Sequence, residues 1–227
     1  LVEVQSEFEK EFPNVKFRVI AAGFSKSFEA DFYPNIWKQM SDLDVSILIN
    51  NVGVLDAFFW EHPLNYTTNV LAVNQMSCVM MTRVLIDHFK SRKQKSLIVN
   101  VCSEVGVVAI PTATLLGSTK RFMDFFSRSL SKQYKGQIDI ITHICGPTMS
   151  RTATELFGKS SGAFQALSPE QCARGLLAQA GYETRTGGHW EHQIHFKIFS
   201  SWIGKAILVP IMDQKLVDVL RKHQSPN

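Results

Sequence analysis

Ser103 closes an apolar run at residues 96–102, and Lys120 sits on the first turns of a helix that begins near Thr114. A loop punctuated by Gly and Pro lies between them. Two further apolar runs end in polar, turn-forming residues: 45–50 ends in Asn50-Asn51-Val52-Gly53, and 138–144 ends at Gly146-Pro147. Taken singly, each group has a plain structural reading. A Ser at a strand end forms a turn, Asn-Asn breaks a strand, and a helix Lys is solvated. Taken together, they place a hydroxyl, an ammonium and two amides at the ends of three strands. In an open parallel sheet the crevice beyond those ends is where a ligand binds.

The intervening segments show how these ends are positioned. Residues 1–12 carry apolar side chains at 1, 4, 8 and 12, a helical spacing, so the chain opens inside an amphipathic helix and preceding residues are expected to be absent from it. Residues 16–21 form a β-branched run that reads as a strand. Residues 28–40 read as a helix interrupted near Pro34, and 66–90 and 114–134 as longer helices. The run at 45–50 is continuously apolar, as expected of a strand covered on both faces. Ser168-Pro169-Glu170-Gln171 is a helix start, with Ser as N-cap, Pro at the first position and Gln closing a capping box. The polar stretch 148–166 reads as a loop. Strands alternating with helices of this length argue for a parallel sheet with helices on both faces, a doubly wound three-layer αβα domain.

Composition narrows the function classes. The chain has 227 residues with 45% hydrophobic and 19% charged content, enough for a substantial core in one domain. The net charge of +4 is mild and no basic cluster is interleaved with aromatics, so nucleic acid is not an expected partner. Cys78, Cys102, Cys145 and Cys172 are widely spaced, which reads as four reduced small hydrophobes without a metal or redox role. The triplet His189, His192 and His195 has helical spacing but lacks a completing Cys or carboxylate pair, so no metal is expected. Residues 196–212 carry one apolar helical stripe with Trp202 and lysines beside it. This C-terminal extension, 196–223, is read either as a helix packed on the domain or as an interfacial helix at a membrane surface.

The segment 100–120 resembles the active-site stretch of the short-chain dehydrogenase/reductases. There a strand-end Ser lies thirteen residues before a Tyr, and a Lys lies four after it; here Ser103, position 116 and Lys120 keep that frame. The resemblance implies a Rossmann-like fold over nearly the whole chain. It implies that Ser103 hydrogen-bonds a substrate carbonyl, that Lys120 holds the nicotinamide ribose, and that Asn69 supports a proton-relay water. It further implies that Asn50, Asn51 and Gly53 lie under a nucleotide, with Pro147 and Thr152 contacting it. The stretches 49–53, 69–73, 122–127 and 185–188 and the apolar tail look similar to the branch containing 17β-hydroxysteroid dehydrogenase type 12 and very-long-chain 3-oxoacyl-CoA reductase.

Three departures qualify the resemblance. Position 116 is Leu, which has no proton to give, and general-acid catalysis contributes roughly 10²–10⁴-fold. No Gly-rich phosphate loop occurs. Ala22-Gly23-Phe24 stands where the family has an acidic contact to adenine. If residues 16–21 are the family's third strand and 45–50 its fourth, the two strands between them are missing, and either other residues fill the gap or the two flanking strands pair. Two readings follow. The first is a catalytically degenerate protein without a bound cofactor, serving as a structural or accessory subunit of a larger, membrane-associated assembly. The second is an NADP(H)-dependent 3-oxoacyl-CoA reductase or hydroxysteroid dehydrogenase. Both imply an intracellular, reducing compartment, the endoplasmic reticulum by resemblance or the mitochondrion for a complex subunit.

Overall fold

The computed structural model describes residues 1–55, 58–150, 154 and 166–224. Four parallel strands form its centre: β1 (Ile47–Asn50), β2 (Ser96–Ser103), β3 (Ile138–Cys145) and β4 (Arg185–Thr186), paired in that order. The helices are α1 (Val2–Glu11), α2 (Phe32–Lys38), α3 (Leu64–Leu71), α4 (Ser77–Ser91), α5 (Thr114–Gln133), α6 (Pro169–Leu177), α7 (Trp190–Ser200) and α8 (Val209–Gln224). The fold is α/β and Rossmann-like, as the alternation of segments implies.

Two apolar layers hold the sheet. Ile98, Ile138 and Ile140 point to one side, against Met81, Leu85 and Phe89 of α4 and Tyr33 and Ile36 of α2. Val99 and Ile141 point to the other, against Leu176 of α6. Alternate strand residues take opposite faces, and each such side chain contributes roughly 1.5–3 kcal/mol when fully buried. The run 64–91 is long and apolar enough to cross a membrane. Its buried Val70, Cys78, Leu85 and Phe89 instead make it the domain's central helix.

A ladder of buried amides and hydroxyls ties the strand ends to the helices. Asn50 Nδ2 donates to Asn100 Oδ1 at 2.8 Å, and Asn100 Nδ2 donates to Ser127 Oγ on α5 at 2.7 Å. Asn50 Nδ2 also reaches Thr82 Oγ1, and Cys78 Sγ donates to Asn100 Oδ1, both on α4 at 3.3 Å.

The structure departs from the sequence expectations in several places. Residues 16–21 are not a strand, because among the described residues no neighbouring strand offers them hydrogen bonds and Val19 is not paired with Leu48. Among the described residues β1 pairs only with β2, so its other edge carries no ladder. Nor is β1 covered on both faces, since Ile47 and Ile49 are 51% and 52% exposed. Pro34 does not interrupt a helix. It lies in the first turn of α2, where a missing N–H is tolerated, and the helix begins only at Phe32. Most of 148–166 lies outside the described residues.

The C-terminal extension packs on the domain through one face. Phe199, Val209 and Leu216 pack on Val108, Ile110 and Ala113, while Asp213 Oδ1 accepts from Thr112 N at 3.0 Å and Thr112 Oγ1 at 2.6 Å. The opposite face leaves Trp202, Ile203, Ile207 and Ile211 exposed, Trp202 at 77%.

Asp124 is the electrostatic fastener between layers. Its carboxylate, 3% exposed, accepts two bonds from Arg185 of β4, at 2.9 and 3.1 Å. Arg185 in turn lies 4.5 Å above the Phe196 ring of α7. Bidentate geometry and burial make this pair strong, and removing one partner strands the other. Asp124→Ala is expected to lower the unfolding free energy by about 3 kcal/mol, measured by chemical denaturation; a change within 0.5 kcal/mol, typical of surface sites, would show that Arg185 is solvated instead.

Candidate active site at the strand ends

Lys120 is where the elements meet. It lies on the second turn of α5, is 8% exposed, and donates from Nζ to Val101 O on β2 at 2.8 Å. A Cβ on Gly53, just past β1, would sit 3.7 Å from that Nζ. Lys120 is therefore not the solvated helix lysine that its position alone suggests: it has a carbonyl partner, while two of its three N–H groups have no protein acceptor among the described residues. Burial pushes its pKa down from the ordinary lysine value.

Two glycines set the distance between Ser103 and Lys120. After Ser103 the chain makes a short 3-10 turn, Glu104–Gly106, capped by Ser103 Oγ, which accepts from Val105 N at 3.4 Å. A Cβ on Gly106 would stand 2.8 Å from both Lys120 Cβ and Arg121 N, and one on Gly117 would stand 2.9 Å from Val105 O. The turn and α5 interlock only because both methyls are missing.

Two asparagines lie on the long helical run, in different surroundings. Asn69 is half-buried on α3 with no side-chain hydrogen bond among those described. Five residues on, a π-helical turn (Ala72–Met76) interrupts the long helix and holds Asn74, fully buried. Asn74 Oδ1 accepts from Val54 N at 2.8 Å, and its Nδ2 donates to Val54 O at 2.9 Å and to Thr119 Oγ1 at 3.3 Å. It fixes the loop after β1 against α5. Such π-turns often mark functional positions.

The other residues divide. Asn50 turns inward to the amide ladder, so its role is to brace the sheet. Asn51 and Gly53 are exposed at the end of β1. Pro147 follows β3, and its carbonyl accepts from His192 Nε2 at 3.0 Å, while Gly146 N donates to His192 Nδ1 at 3.3 Å. Thr152 lies outside the described residues. Leu116 packs against the cluster formed by Val108, Ile110, Phe199 and Val209.

Glu104 was not anticipated. It directly follows Ser103 at the end of β2, is buried, and its Oε1 has no hydrogen-bond partner among the described residues. It packs over Gly146, where a Cβ would lie 2.9 Å from Oε1. Burial pushes its pKa up to about 7, against a smaller lowering by His192. Only the identity of the residue was visible in sequence; its enclosure by β3 and α7 was not.

The sequence profile of the family described as short chain dehydrogenase matches residues 1–160. The very-long-chain 3-oxoacyl-CoA reductase-B of Danio rerio is 31% identical over 213 residues, covering 92% of this chain. The chain spans 64% of that relative's length. A 7beta-hydroxysteroid dehydrogenase structure superposes with a TM-score of 0.79 at 16% identity, over 93% of this chain and 81% of the other. A short-chain dehydrogenase from Sphingobium yanoikuyae in complex with NADPH gives 0.68 at 16% identity, over 79% and 69%.

These findings overturn the reading of a catalytically degenerate accessory subunit. Relatives that align along most of the chain are named as reductases. Leu116 alters one group in the site without removing the frame around it. The accompanying expectation of no cofactor has no support either, since structural neighbours include complexes with NADPH and NADH.

Two outcomes test the geometry. Gly106→Ala places a methyl against backbone and is expected to destabilise by about 1–3 kcal/mol through overpacking, seen as a lower thermal midpoint; an unchanged midpoint would mean that the turn and α5 can separate freely. Glu104 binds its proton more tightly in the folded state than in the unfolded one. Its contribution is therefore full below the unfolded carboxyl pKa near 4.5 and is lost as pH rises through about 7. Glu104→Gln is expected to flatten the decline in midpoint across that interval, and parallel profiles for the two proteins would refute the buried, raised carboxyl.

Proposed function

The chain belongs to the short-chain dehydrogenase family, and on that premise we propose that it is an NADP(H)-dependent oxidoreductase that reduces the ketone of a 3-oxoacyl thioester. The observation that carries this reading is the buried Lys120. Among the described residues its ammonium keeps two unused donors beside Gly53, at the strand ends where the family's ligand lies.

The residues fit the nicotinamide-ribose end of the nucleotide. Lys120 has free N–H groups for ribose hydroxyls, Gly53 offers backbone without a side chain, and Pro147 borders the same crevice. The reduced nicotinamide, when bound, supplies the hydride to the carbonyl carbon. Ser103 Oγ donates a hydrogen bond to the carbonyl oxygen and orients it. The oxygen then needs a proton that Leu116 cannot supply. Glu104, adjacent to Ser103 and held near neutrality by burial, is the protonated carboxyl available for that transfer. A general acid works best when its pKa lies near the operating pH. Asn74 keeps the loop after β1 in register with α5, so Lys120 stays placed.

The relatives' names supply the acyl-CoA class. The exposed Trp202, Ile203, Ile207 and Ile211, with Lys205 among them, support the reading that this face meets a membrane boundary, where a long acyl chain is delivered.

The test is loss of NADPH absorbance with a long-chain 3-oxoacyl-CoA. Turnover is expected, with Ser103→Ala and Glu104→Gln each slower by about 10²–10⁴-fold. Absence of NADPH binding by titration calorimetry would overturn the proposal; turnover unchanged in Glu104→Gln would remove Glu104 from it.

A further inference from the structure

We propose that His143, Cys145 and Cys172 form a zinc-binding site that clamps α6 to the end of β3. His143 and Cys145 are two residues apart on β3 and so share the face toward α6. Cys172 lies on the first turns of α6, whose start is fixed by a full capping box: Gln171 N donates to Ser168 Oγ at 3.1 Å, and Ser168 N donates to Gln171 Oε1 at 3.0 Å. The three ligand atoms all lie within 4.8 Å of one another.

The spacing suits one ion. Cys145 Sγ is 3.6 Å from Cys172 Sγ, and His143 Nε2 is 3.3 Å from Cys172 Sγ. A tetrahedral zinc with bonds of about 2.3 Å to sulfur and about 2.0–2.1 Å to nitrogen requires edges of roughly 3.8 Å and 3.6 Å. Those two contacts lie within a few tenths of an ångström of these edges, and the third separation is within 4.8 Å. The contacts are also too long for a disulfide, whose S–S length is about 2.05 Å.

The donor set is selective. Two thiolates and an imidazole match zinc in preference to calcium or magnesium, which take oxygen. Two thiolate charges balance the dication, so the complex is neutral, which suits an interior where His143 and Cys172 are buried. The imidazole of His192 is committed to Gly146 and Pro147. It also reaches the Cys172 thiol, so it borders the cluster.

The site lies outside the proposed chemistry but adjoins it, because Cys145 immediately precedes Gly146-Pro147. The ion would fix the strand end that borders the crevice.

The test uses the full chain, purified under reducing conditions and stripped with a chelator. Cobalt(II) titration is expected to reach stoichiometric binding, with a sulfur-to-cobalt charge-transfer band that zinc displaces. Zinc is expected to raise the thermal midpoint by several degrees. Cys145→Ser and Cys172→Ser should each abolish the band and the zinc-induced rise, while Cys78→Ser keeps both. If a site variant fails to fold, zinc protection of Cys145 and Cys172 from alkylation in the unmodified chain provides the same readout. No charge-transfer band, or a midpoint unmoved by zinc, would overturn the proposal. So would a Cys145–Cys172 disulfide forming in the reduced sample, detected as the loss of two hydrogens by mass.

Discussion

The buried side chain of Asn100 is the constraint on which most of the architecture rests. It sits in the central strand, accepts from Asn50 and Cys78, and donates to Ser127. One amide thereby connects two strands and the two long helices on one face. Such a group is costly in an apolar layer unless every partner is in place. The ladder therefore penalises any packing in which β1, β2, α4 and α5 slip relative to one another. Because Asn50 precedes the loop carrying Gly53, and Val101 follows Asn100, the same register delivers the residues around Lys120.

Burial does the electrostatic tuning of the site. No carboxylate hydrogen-bonds Lys120 among the described residues, so low dielectric acts on it with only a carbonyl in reply. Glu104 is raised by the same cause. The two shifts are opposite in sign and come from one source, the closing of strand ends by α5 and α7. The lysine is thereby made easier to deprotonate, and the carboxyl, raised to about 7, is made harder to ionise. Cys78 and Cys102, whose thiols burial pushes up to about 12, are inert in the same interior.

Much of the fold could be read from the chain. The apolar runs at 45–50, 96–102 and 138–144 became strands, and the capping box at Ser168 was visible as Ser-Pro-Glu-Gln. The failures have physical causes. Residues 16–21 have strand composition, but a strand exists only with a hydrogen-bonding neighbour. Asn74 went unremarked because reading along a regular helix does not foresee the π-turn that lodges it against Val54. Cys145 and Cys172 looked unrelated at 27 positions apart, and only the crossover from β3 to α6 brings them together. Glu104 has no distinguishing neighbour in sequence, because its property is enclosure.

The interlock of Gly106 and Gly117 has a consequence for how this domain can diversify. Because the turn after Ser103 is seated directly on α5, the intervening stretch from Val107 to Ala113 is not what holds the hydroxyl and the ammonium in relation to each other. That stretch is held separately, by Phe199, Val209 and Asp213 of the C-terminal segment. Insertions or exchanges there can reshape the wall of the crevice while the reacting geometry stays put. Recognition of a ligand's shape and the handling of its polar centre are thus mechanically separable, and the hardware that separates them is the absence of two methyl groups.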